Sequence, residues 1–507
     1  MTVLKIIETK LEFFEKKTFI GMIMIVSIGL GIRLFFTPFH LPTNSFDGFL
    51  FTIEGLAYSN GDFSNFTNRF LWPMFLSLFF KIVDFENYFD YVNLARMVAI
   101  SISVLTAPII FGIAKKFVDN KYALIAAGLF VIEPNLIENS IFGITESLFI
   151  FLGTLSFYCI LQKNQKFQLL AFLFAGLSFD TRLNGIVLLI LILISFYLNK
   201  SSNSKKFFVI GILIFVGIIL PAHFLLPIIE GTEPFPIIKN MFEAISQENI
   251  SYSTYEYTDN SSSILLNAIK NEFLHIFRIA VPFLIILFPY GMIVSLKNKN
   301  FQNKMLFFGV LISLLIAIPQ YTMSNEYRNL FFLIPFFSIF SAIGINELIK
   351  RKETKNIFLI LFMMGLVLLS VNFLRERNLI DEELYLEKDR FGKYIVDNFE
   401  GRVTGDLRLD IIRNIPNLKD GNFYSNEKIA YFDPGFPIDS TQTLIEYLKE
   451  NKIEFLVVEK KHHSKHFPIF NEIISNEKDF DFLEKILESS ELNYKKINVE
   501  IFKIHFE

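Results

Sequence analysis

Eleven long apolar runs dominate the sequence before residue 375. A helix needs about 20 apolar residues to cross the hydrocarbon core of a bilayer, and a soluble protein has no use for so many such runs. We therefore predict a multi-span α-helical membrane protein with about eleven transmembrane helices. The runs at 167–180 and 184–199 are short, so those helices are expected to tilt or to cross only partly. The predicted spans are 19–36, 91–114, 122–137, 143–162, 167–180, 184–199, 207–228, 275–296, 305–322, 328–348 and 356–374.

Charged residues are divided unevenly along the chain. Of the 99 Asp, Glu, Lys and Arg residues, 47 follow Leu374, and the formal net charge is +4 up to that residue and −7 beyond it. This division predicts a membrane body at 1–374 and a water-soluble domain at 375–507. No basic stripe rises above the loop lysines, so the sequence does not favour nucleic-acid binding.

The tail beyond residue 375 alternates between helix and strand patterns, as small α/β domains do. Helices are predicted at 444–451 and 482–487, and strands at 453–458 and 497–504. The two helical segments space their apolar residues by three or four positions. The two strand segments are a buried apolar run and an alternating pattern.

Basic residues in the short loops predict the direction of insertion. Loops rich in Lys and Arg lie on the cytoplasmic side, which places the amino terminus inside. With eleven spans, the tail is then extracytoplasmic. No small-residue cleavage site follows the first span, so we expect it to remain as an anchor. The basic set comprises Lys5, Lys10, Lys16, Lys17, Lys115, Lys116, Lys121, Lys163, Lys166, Lys200, Lys205, Lys206, Lys297, Lys299, Lys304, Lys350, Arg351, Lys352 and Lys355.

Two predicted outer loops are large, at 37–90 and 229–274. The first contains an apolar stretch at 70–83 that is too short to span, which we interpret as an interfacial helix. The second is polar in its middle, and long loops of this kind are often functional.

Six ionisable residues inside or beside the predicted spans lie at a similar depth, near the outer face. A charge in a membrane is costly, so each is a candidate for function. Arginine binds phosphate through a planar fork and stays charged when partly buried, and a neighbouring carboxylate can serve as a general base. These residues predict a site for an anionic, membrane-embedded ligand, formed by Asp47, Arg96, Glu146, Asp180, Arg182 and Arg328.

Short motifs around these charges follow one another in a familiar order. They are Ser45-Phe46-Asp47-Gly48, Arg69-Phe70-Leu71-Trp72-Pro73, Leu94-Ala95-Arg96, Ile144-Thr145-Glu146-Ser147, Thr181-Arg182-Leu183-Asn184-Gly185 and Tyr327-Arg328-Asn329. Through them, residues 1–350 resemble the C-type (GT-C) integral-membrane glycosyltransferases. The nearest in pattern are the polyprenyl- or dolichyl-phosphate-mannose protein mannosyltransferases and the lipid A aminoarabinose transferases. Two departures stand out: Gly48 replaces a second acid that the family often has, and the Arg/Tyr order is inverted at Tyr327-Arg328.

The resemblance implies an inverting glycosyltransferase. Its donor would be a polyprenyl-phosphate-linked sugar, and its acceptor a hydroxyl on a protein, lipid or glycan at the extracytoplasmic face. No cofactor is certain; a divalent metal stays open, although Gly48 weakens a metal site built from paired acids. The resemblance implies Asp47 as the catalytic base, Arg182, Arg328 and Tyr327 as donor phosphate ligands, and Glu146, Arg96, Glu54 and Asp180 in supporting roles.

Other interpretations stay open. A transporter or lipid-linked-sugar flippase predicts broken helices with charges near the midplane, and a receptor leaves the shared depth of the charges unexplained. An oligosaccharyltransferase is disfavoured because its Trp-Trp-Asp signature cannot occur in a chain with one Trp. The cluster His462-His463-Ser464-Lys465-His466 reads as a solvated loop rather than a metal site. Each site residue also has a structural alternative. These are a solvated loop acid or a helix cap for Asp47, a helix cap or an Arg96 partner for Glu146, a solvated face for Glu54, an Asp180 partner for Arg182, and interfacial anchors for Arg328 and Tyr327.

Overall fold

The computed structural model describes most of the chain. The described residues are 16–41, 45–63, 70–162, 164–198, 204–225, 228, 261–298, 300–322, 326–349, 355–377, 382–415, 440–460, 468–475 and 480–505. Arg69, most of the second large loop and the histidine cluster at 462–466 lie outside them.

Helices make up nearly all of the described chain before residue 378. Two 3₁₀ turns, at Leu183–Gly185 and Tyr327–Leu330, and a π turn at Pro221–Leu225 connect or extend them. The helices are α1 (Lys16–Phe36), α2 (Phe46–Ser59), α3 (Leu71–Phe80), α4 (Tyr88–Leu105), α5 (Ala107–Ala114), α6 (Asn120–Val131), α7 (Pro134–Ile141), α8 (Glu146–Ile160), α9 (Gln165–Thr181), α10 (Ile186–Leu198), α11 (Ser204–Leu220), α12 (Ser261–Ala280), α13 (Leu284–Leu296), α14 (Phe301–Tyr321), α15 (Leu333–Ile349) and α16 (Lys355–Arg377).

The helical membrane body agrees with the prediction, but the number of eleven spans is not confirmed. Five described helices are long and apolar enough to cross a membrane, and two bent pairs, α6–α7 and α12–α13, raise the number to seven. Four further apolar helices have 10–17 residues: α3, α8, α15, and α10 with the 3₁₀ turn before it. The first residue of a helix can differ from the first residue of the predicted span. Glu146, for example, opens α8 three residues into the predicted span.

The predicted span at 275–296 is not a single straight helix. The chain instead forms α12, bends by 103° and continues as α13. Pro282 lies at the bend; proline lacks an N–H for the helical ladder and restricts the residue before it. Helix α12 buries Ala268 and Glu272 and exposes Phe273. Part of the predicted outer loop is therefore a helix.

The tail contains a four-stranded sheet with helices around it. Its strand order is β1-β2-β4-β3; β1 runs parallel to β2, and the other neighbouring pairs are antiparallel. The elements are α17 (Glu382–Asn398), β1 (Val403–Gly405), α18 (Arg408–Ile412), α19 (Thr441–Glu450), β2 (Phe455–Glu459), α20 (Pro468–Ser475), β3 (Leu483–Glu488) and β4 (Val499–Ile504).

Three of the four elements predicted in the tail are confirmed, as α19, β2 and β4. The helix predicted at 482–487 is wrong, because this segment forms β3. Its short apolar pattern fits a helix and a strand equally, and pairing with β4 decides between them. Leu483 stands opposite Ile504, and a register shift between Lys485 and Leu487 keeps the pairing irregular.

One hydrophobic core joins the start of the helical body to the tail. It contains Phe49 and Trp72 of the first large loop together with Phe391 and Val403 of the tail. Trp72 is fully buried and donates from Nε1 to the Gly143 carbonyl at 2.9 Å. This contact fixes the turn that precedes α8, the helix that carries Glu146.

Gly143 occupies a position that favours glycine. Its φ is +70°, and a Cβ there would lie 3.3 Å from the backbone nitrogen of Arg96. Other residues rarely adopt that φ. The close approach brings the beginning of α8 against α4, so sequence and packing together set where Glu146 enters the body.

Candidate active site

Asp47 and Arg328 form an ion pair at one end of the helical body. Asp47 lies in the first turn of α2, whose N-cap Ser45 accepts a hydrogen bond from the Gly48 amide at 3.2 Å. Arg328 lies in the 3₁₀ turn before α15. Asp47 Oδ2 is 2.5 Å from Arg328 Nη1, across 281 residues of sequence. A helix N-terminus attracts a negative group, so Asp47 has favourable contacts on two sides, the start of α2 and Arg328.

Glu146 joins this pair to a second arginine. It is the first residue of α8 and is 1% exposed. Its Oε1 is ion-paired with Arg182 Nη1 and lies 3.7 Å from Arg328 Nη1, and its Oε2 accepts from the Thr145 hydroxyl at 3.2 Å. Because one carboxylate oxygen contacts both guanidiniums, Glu146 fixes the spacing of the two arginines. Removing one partner of such a buried ion pair leaves an uncompensated charge at a cost of about 3–5 kcal/mol.

Arg182 is placed by the end of α9. It is the C-cap residue, with extended backbone angles that turn its side chain away from the helix. Its Nη2 donates to Asn329 Oδ1 at 3.0 Å, and Asn184 donates to the Asn329 carbonyl at 3.1 Å. Gln320 of α14 in turn donates to Asn184. These amides tie the end of α9 to the turn that carries Arg328.

Glu326 is a third carboxylate on the same arginine. Its Oε2 accepts from Arg328 Nε at 2.5 Å. We call Asp47, Glu146, Arg182, Glu326 and Arg328 the charge cluster; it contains three carboxylates and two guanidiniums. Sequence reasoning missed Glu326, although its place directly before Tyr327-Arg328 was a visible signal.

Tyr327 faces two other arginines. The Arg278 guanidinium of α12 lies 4.0 Å from the centre of the Tyr327 ring, and the Arg377 guanidinium lies 5.9 Å away. Arg377 is 3.3 Å from Glu138. Arg278 is exposed, and no ion pair to it is found among the described residues. Arg278 lies inside the predicted span at 275–296 and was not among the predicted site residues. Its charge within an apolar run was the signal that could have identified it.

Besides Tyr327, three predicted site residues lie outside the charge cluster. Arg96 donates to the Pro38 carbonyl at 3.2 Å and the Leu41 carbonyl at 2.9 Å, so it holds the turn after α1. Asp180 Oδ1 lies 3.1 Å from the buried His223 of the π turn. Glu54 is 1% exposed, because α2 packs against α3.

Several structural alternatives from the sequence are wrong in detail. Arg182 pairs with Glu146 and not with Asp180, whose partner is His223. Arg96 binds backbone carbonyls rather than Glu146, and the solvated face proposed for Glu54 does not exist. For Asp180 and Arg182 the cause is helix geometry: positions two apart point to different sides, so sequence proximity does not choose the partner.

The described residues offer no group of three His, Cys, Asp or Glu side chains arranged to hold a metal ion. The three acids of the charge cluster meet arginines instead. The cluster has the parts for two tasks: cations that bind an anionic group, and a carboxylate, Asp47, that is 19% exposed and can reach a proton.

Comparison with known proteins supports the resemblance inferred from the sequence. Residues 70–224 match the family model of dolichyl-phosphate-mannose-protein mannosyltransferases. A comparison of the sequence with curated proteins finds no match.

Two kinds of solved structure share the fold. The apo structure of ArnT from Cupriavidus metallidurans has a TM-score of 0.60 at 9% identity, with 95% of this chain and 97% of that chain covered. A second ArnT structure, bound to undecaprenyl phosphate, has a TM-score of 0.58.

The Archaeoglobus fulgidus oligosaccharyltransferase in its apo form has a TM-score of 0.58 at 12% identity, with 88% of this chain and 70% of that chain covered. All these proteins are C-type glycosyltransferases, so the predicted resemblance to that class is confirmed.

Proposed function

We propose that this protein is an inverting membrane glycosyltransferase that transfers a sugar from a polyprenyl phosphate to an acceptor hydroxyl. The observation that carries the proposal is the charge cluster: four separate segments bring Asp47, Glu146, Arg182 and Arg328 together at one end of the helical body. The family match and the shared C-type fold support a lipid-linked donor.

The donor phosphate binds at Arg328 and Tyr327. The Arg328 side chain is 20% exposed and can contact a phosphate directly. The Arg182 side chain is 8% exposed and ion-paired with Glu146, so it contributes its positive charge without direct contact. The charge cluster alone has one more carboxylate than guanidinium, which would repel an anion. Arg278 beside Tyr327 balances this excess, so we add it to the donor site.

Asp47 acts as the general base. It takes the proton of the acceptor hydroxyl, whose oxygen then forms a bond to the anomeric carbon from the side opposite the phosphate. The bond from that carbon to the phosphate oxygen breaks, and the polyprenyl phosphate leaves with the electron pair. Arg328 and Arg182 stabilise the charge that develops on the leaving phosphate. Because a phosphate leaves readily, no general acid is required.

The site lies at the extracytoplasmic face, with the amino terminus cytoplasmic and residues 375–507 outside. Orientation can be measured by cysteine labelling, since Cys159 is the only cysteine of the chain and is buried. Glu382→Cys should react with a membrane-impermeant maleimide added to intact cells. Labelling only after the cells are opened would reverse the orientation.

A transporter is the second candidate, because α6 and α7 form a helix broken by 50° beside the buried Glu133. The break is closed by its neighbours. Arg33 Nη1 donates to the Val131 carbonyl at 2.8 Å, and Glu133 Oε2 accepts from the Leu136 amide at 2.8 Å. The cavity lined by Phe130 and Leu136 has about 10 Å³, enough for one water molecule. A transferase therefore fits these observations better.

Transfer can be tested with purified protein and radiolabelled polyprenyl-phosphate mannose, glucose and other lipid-linked sugars. Membranes of the source cells are added to supply the acceptor. We expect one of the lipid-linked sugars to give free polyprenyl phosphate and a labelled acceptor. Movement of labelled lipid between leaflets without release of polyprenyl phosphate would support the transporter instead.

A further inference from the structure

The guanidinium of Arg328 is already engaged on two sides. Its Nε donates to Glu326 and its Nη1 to Asp47, each at 2.5 Å. A guanidinium presents two forks to a phosphate, one formed by Nε with Nη2 and the other by Nη1 with Nη2. Nε carries a single N–H, which Glu326 takes, so a phosphate that uses the Nε fork must displace Glu326. Nη1 carries two N–H groups, of which Asp47 takes one, so the second fork stays within reach of a phosphate but next to that carboxylate.

The two forks differ in their cost to a phosphate. Nη1 faces Asp47 and lies 3.7 Å from Glu146, so two carboxylates repel an anion there. Nε faces Glu326 alone among the described ion pairs. Glu326 is 39% exposed, against 19% for Asp47, and it precedes the 3₁₀ turn with extended backbone angles. It can return to water more easily than Asp47, which is held in the first turn of α2.

We propose that Glu326 is a displaceable counter-ion of Arg328, which competes with the donor phosphate for the Nε fork and thereby sets donor affinity. This role rests on the proposed function. Asp47 keeps its contact with Nη1 while the phosphate takes the Nε fork. Base and leaving group are then held on different edges of one guanidinium, and Glu326 recovers its contact as polyprenyl phosphate departs. Glu326 is thus a positioning residue and not a catalytic one.

If Glu326 competes with the phosphate, removing its charge should strengthen donor binding, whereas altering a merely structural residue should weaken it. Without its charge, Arg328 meets one competitor fewer, and the phosphate is repelled less. A structural residue would weaken binding when altered. Glu326→Gln keeps the size of the side chain, and its partial exposure makes the change tolerable for folding.

The experiment measures binding of undecaprenyl phosphate to the full-length protein in lipid nanodiscs. It also measures KM and kcat for the lipid-linked sugar that the transfer assay described above identifies as the donor. We expect Glu326→Gln to lower Kd and KM roughly three- to tenfold without raising kcat, since a factor of ten corresponds to about 1.4 kcal/mol. Glu326→Asp, which keeps the charge, should stay within about twofold of the unaltered protein. The matched control is Glu382→Gln, a carboxylate paired with His40 away from the charge cluster, which should leave Kd unchanged.

The outcomes separate this inference from the proposed function. If the unaltered protein binds undecaprenyl phosphate but Glu326→Gln leaves Kd unchanged or raises it, the counter-ion role is overturned and the transferase proposal stands. If the unaltered protein neither binds undecaprenyl phosphate nor releases it from any donor, the proposed function is overturned, and this role with it.

Discussion

Two buried carboxylates of this protein, Glu146 and Glu387, are held by different kinds of partner. Glu146 in the charge cluster is paired with side chains, the guanidiniums of Arg182 and Arg328. Glu387 in α17 is held by backbone: it accepts from the amides of Lys495, Lys496 and Ile497 at 2.7–3.1 Å. We call this second arrangement the Glu387 site.

The partners determine what each arrangement can do. Backbone amides cannot move without unfolding the segment that carries them, so the Glu387 site fastens the tail and offers no chemistry. Side-chain partners rotate, exchange and accept a new anion at modest cost. The charge cluster can therefore respond to a ligand, while the Glu387 site can only be intact or broken. The comparison predicts that changes in the first will alter activity and changes in the second will alter stability.

The largest effect is expected from Asp47→Asn, which keeps the shape of the side chain but removes the proposed base. Transfer should fall by roughly 10²–10⁴, the usual contribution of general base catalysis. Radiolabelled sugar transfer measures the rate, and unfolding followed by fluorescence of Trp72, the single tryptophan, serves as the control for fold. Unchanged transfer at equal protein levels would remove Asp47 from the role of base.

Glu387→Gln should act on stability instead. An amide nitrogen would face at least one of the three backbone N–H groups, so the variant loses hydrogen bonds to a charged acceptor worth about 2–3 kcal/mol in total. Unfolding in detergent, followed by Trp72 fluorescence, should shift to lower temperature, because Trp72 lies in the core that joins body and tail. Loss of transfer without any such shift would contradict the division between the two arrangements.

The same carboxylate predicts a pH dependence. Burial acts to raise the pKa of Glu387, but the three backbone hydrogen bonds outweigh it and lower the pKa below its ordinary value of 4.5. The stabilisation is therefore complete above pH 4.5 and disappears as the pH falls through the lowered pKa. The stability difference between the unaltered protein and Glu387→Gln should shrink in acid. A difference that grows below pH 4 would mean that the carboxylate is not held as described.

The smallest effect is expected where an ion pair is exposed. His40 and Glu382 are 2.8 Å apart but more than half exposed, and such pairs contribute about 0–1 kcal/mol. Glu382→Gln should lower the free energy of unfolding by no more than about 0.5 kcal/mol and leave transfer intact. A larger loss would show that this contact helps to hold the tail on the body.

The sequence allowed the main features of this molecule to be predicted, for reasons of composition. Apolar runs and clustered lysines predict a membrane body, and ordered motifs identify Asp47, Glu146, Arg182 and Arg328, which the structure brings together. Such features depend on residue type and order, which a single chain displays directly.

Partner choice could not be predicted in the same way. Asp180 precedes Arg182 by two residues, yet it meets His223, because the two side chains leave the end of α9 in different directions. The bend after α12 required knowing that Pro282 would end a helix within an apolar run. The strand β3 depended on pairing partners 14–21 residues further along the chain, at Ile501 and Ile504. A local sequence pattern does not show such contacts.

The short helices beside the charge cluster have a consequence for the surrounding lipid. Helices α8 and α10 have 15 and 13 residues, which at 1.5 Å per residue gives about 20 Å, well below the roughly 30 Å of an average hydrocarbon core. A bilayer adapts to such mismatch by thinning. Water and headgroups then lie closer to the charge cluster, which would let the prenyl chain of the proposed donor stay among the acyl tails while its sugar reaches a hydrated surface.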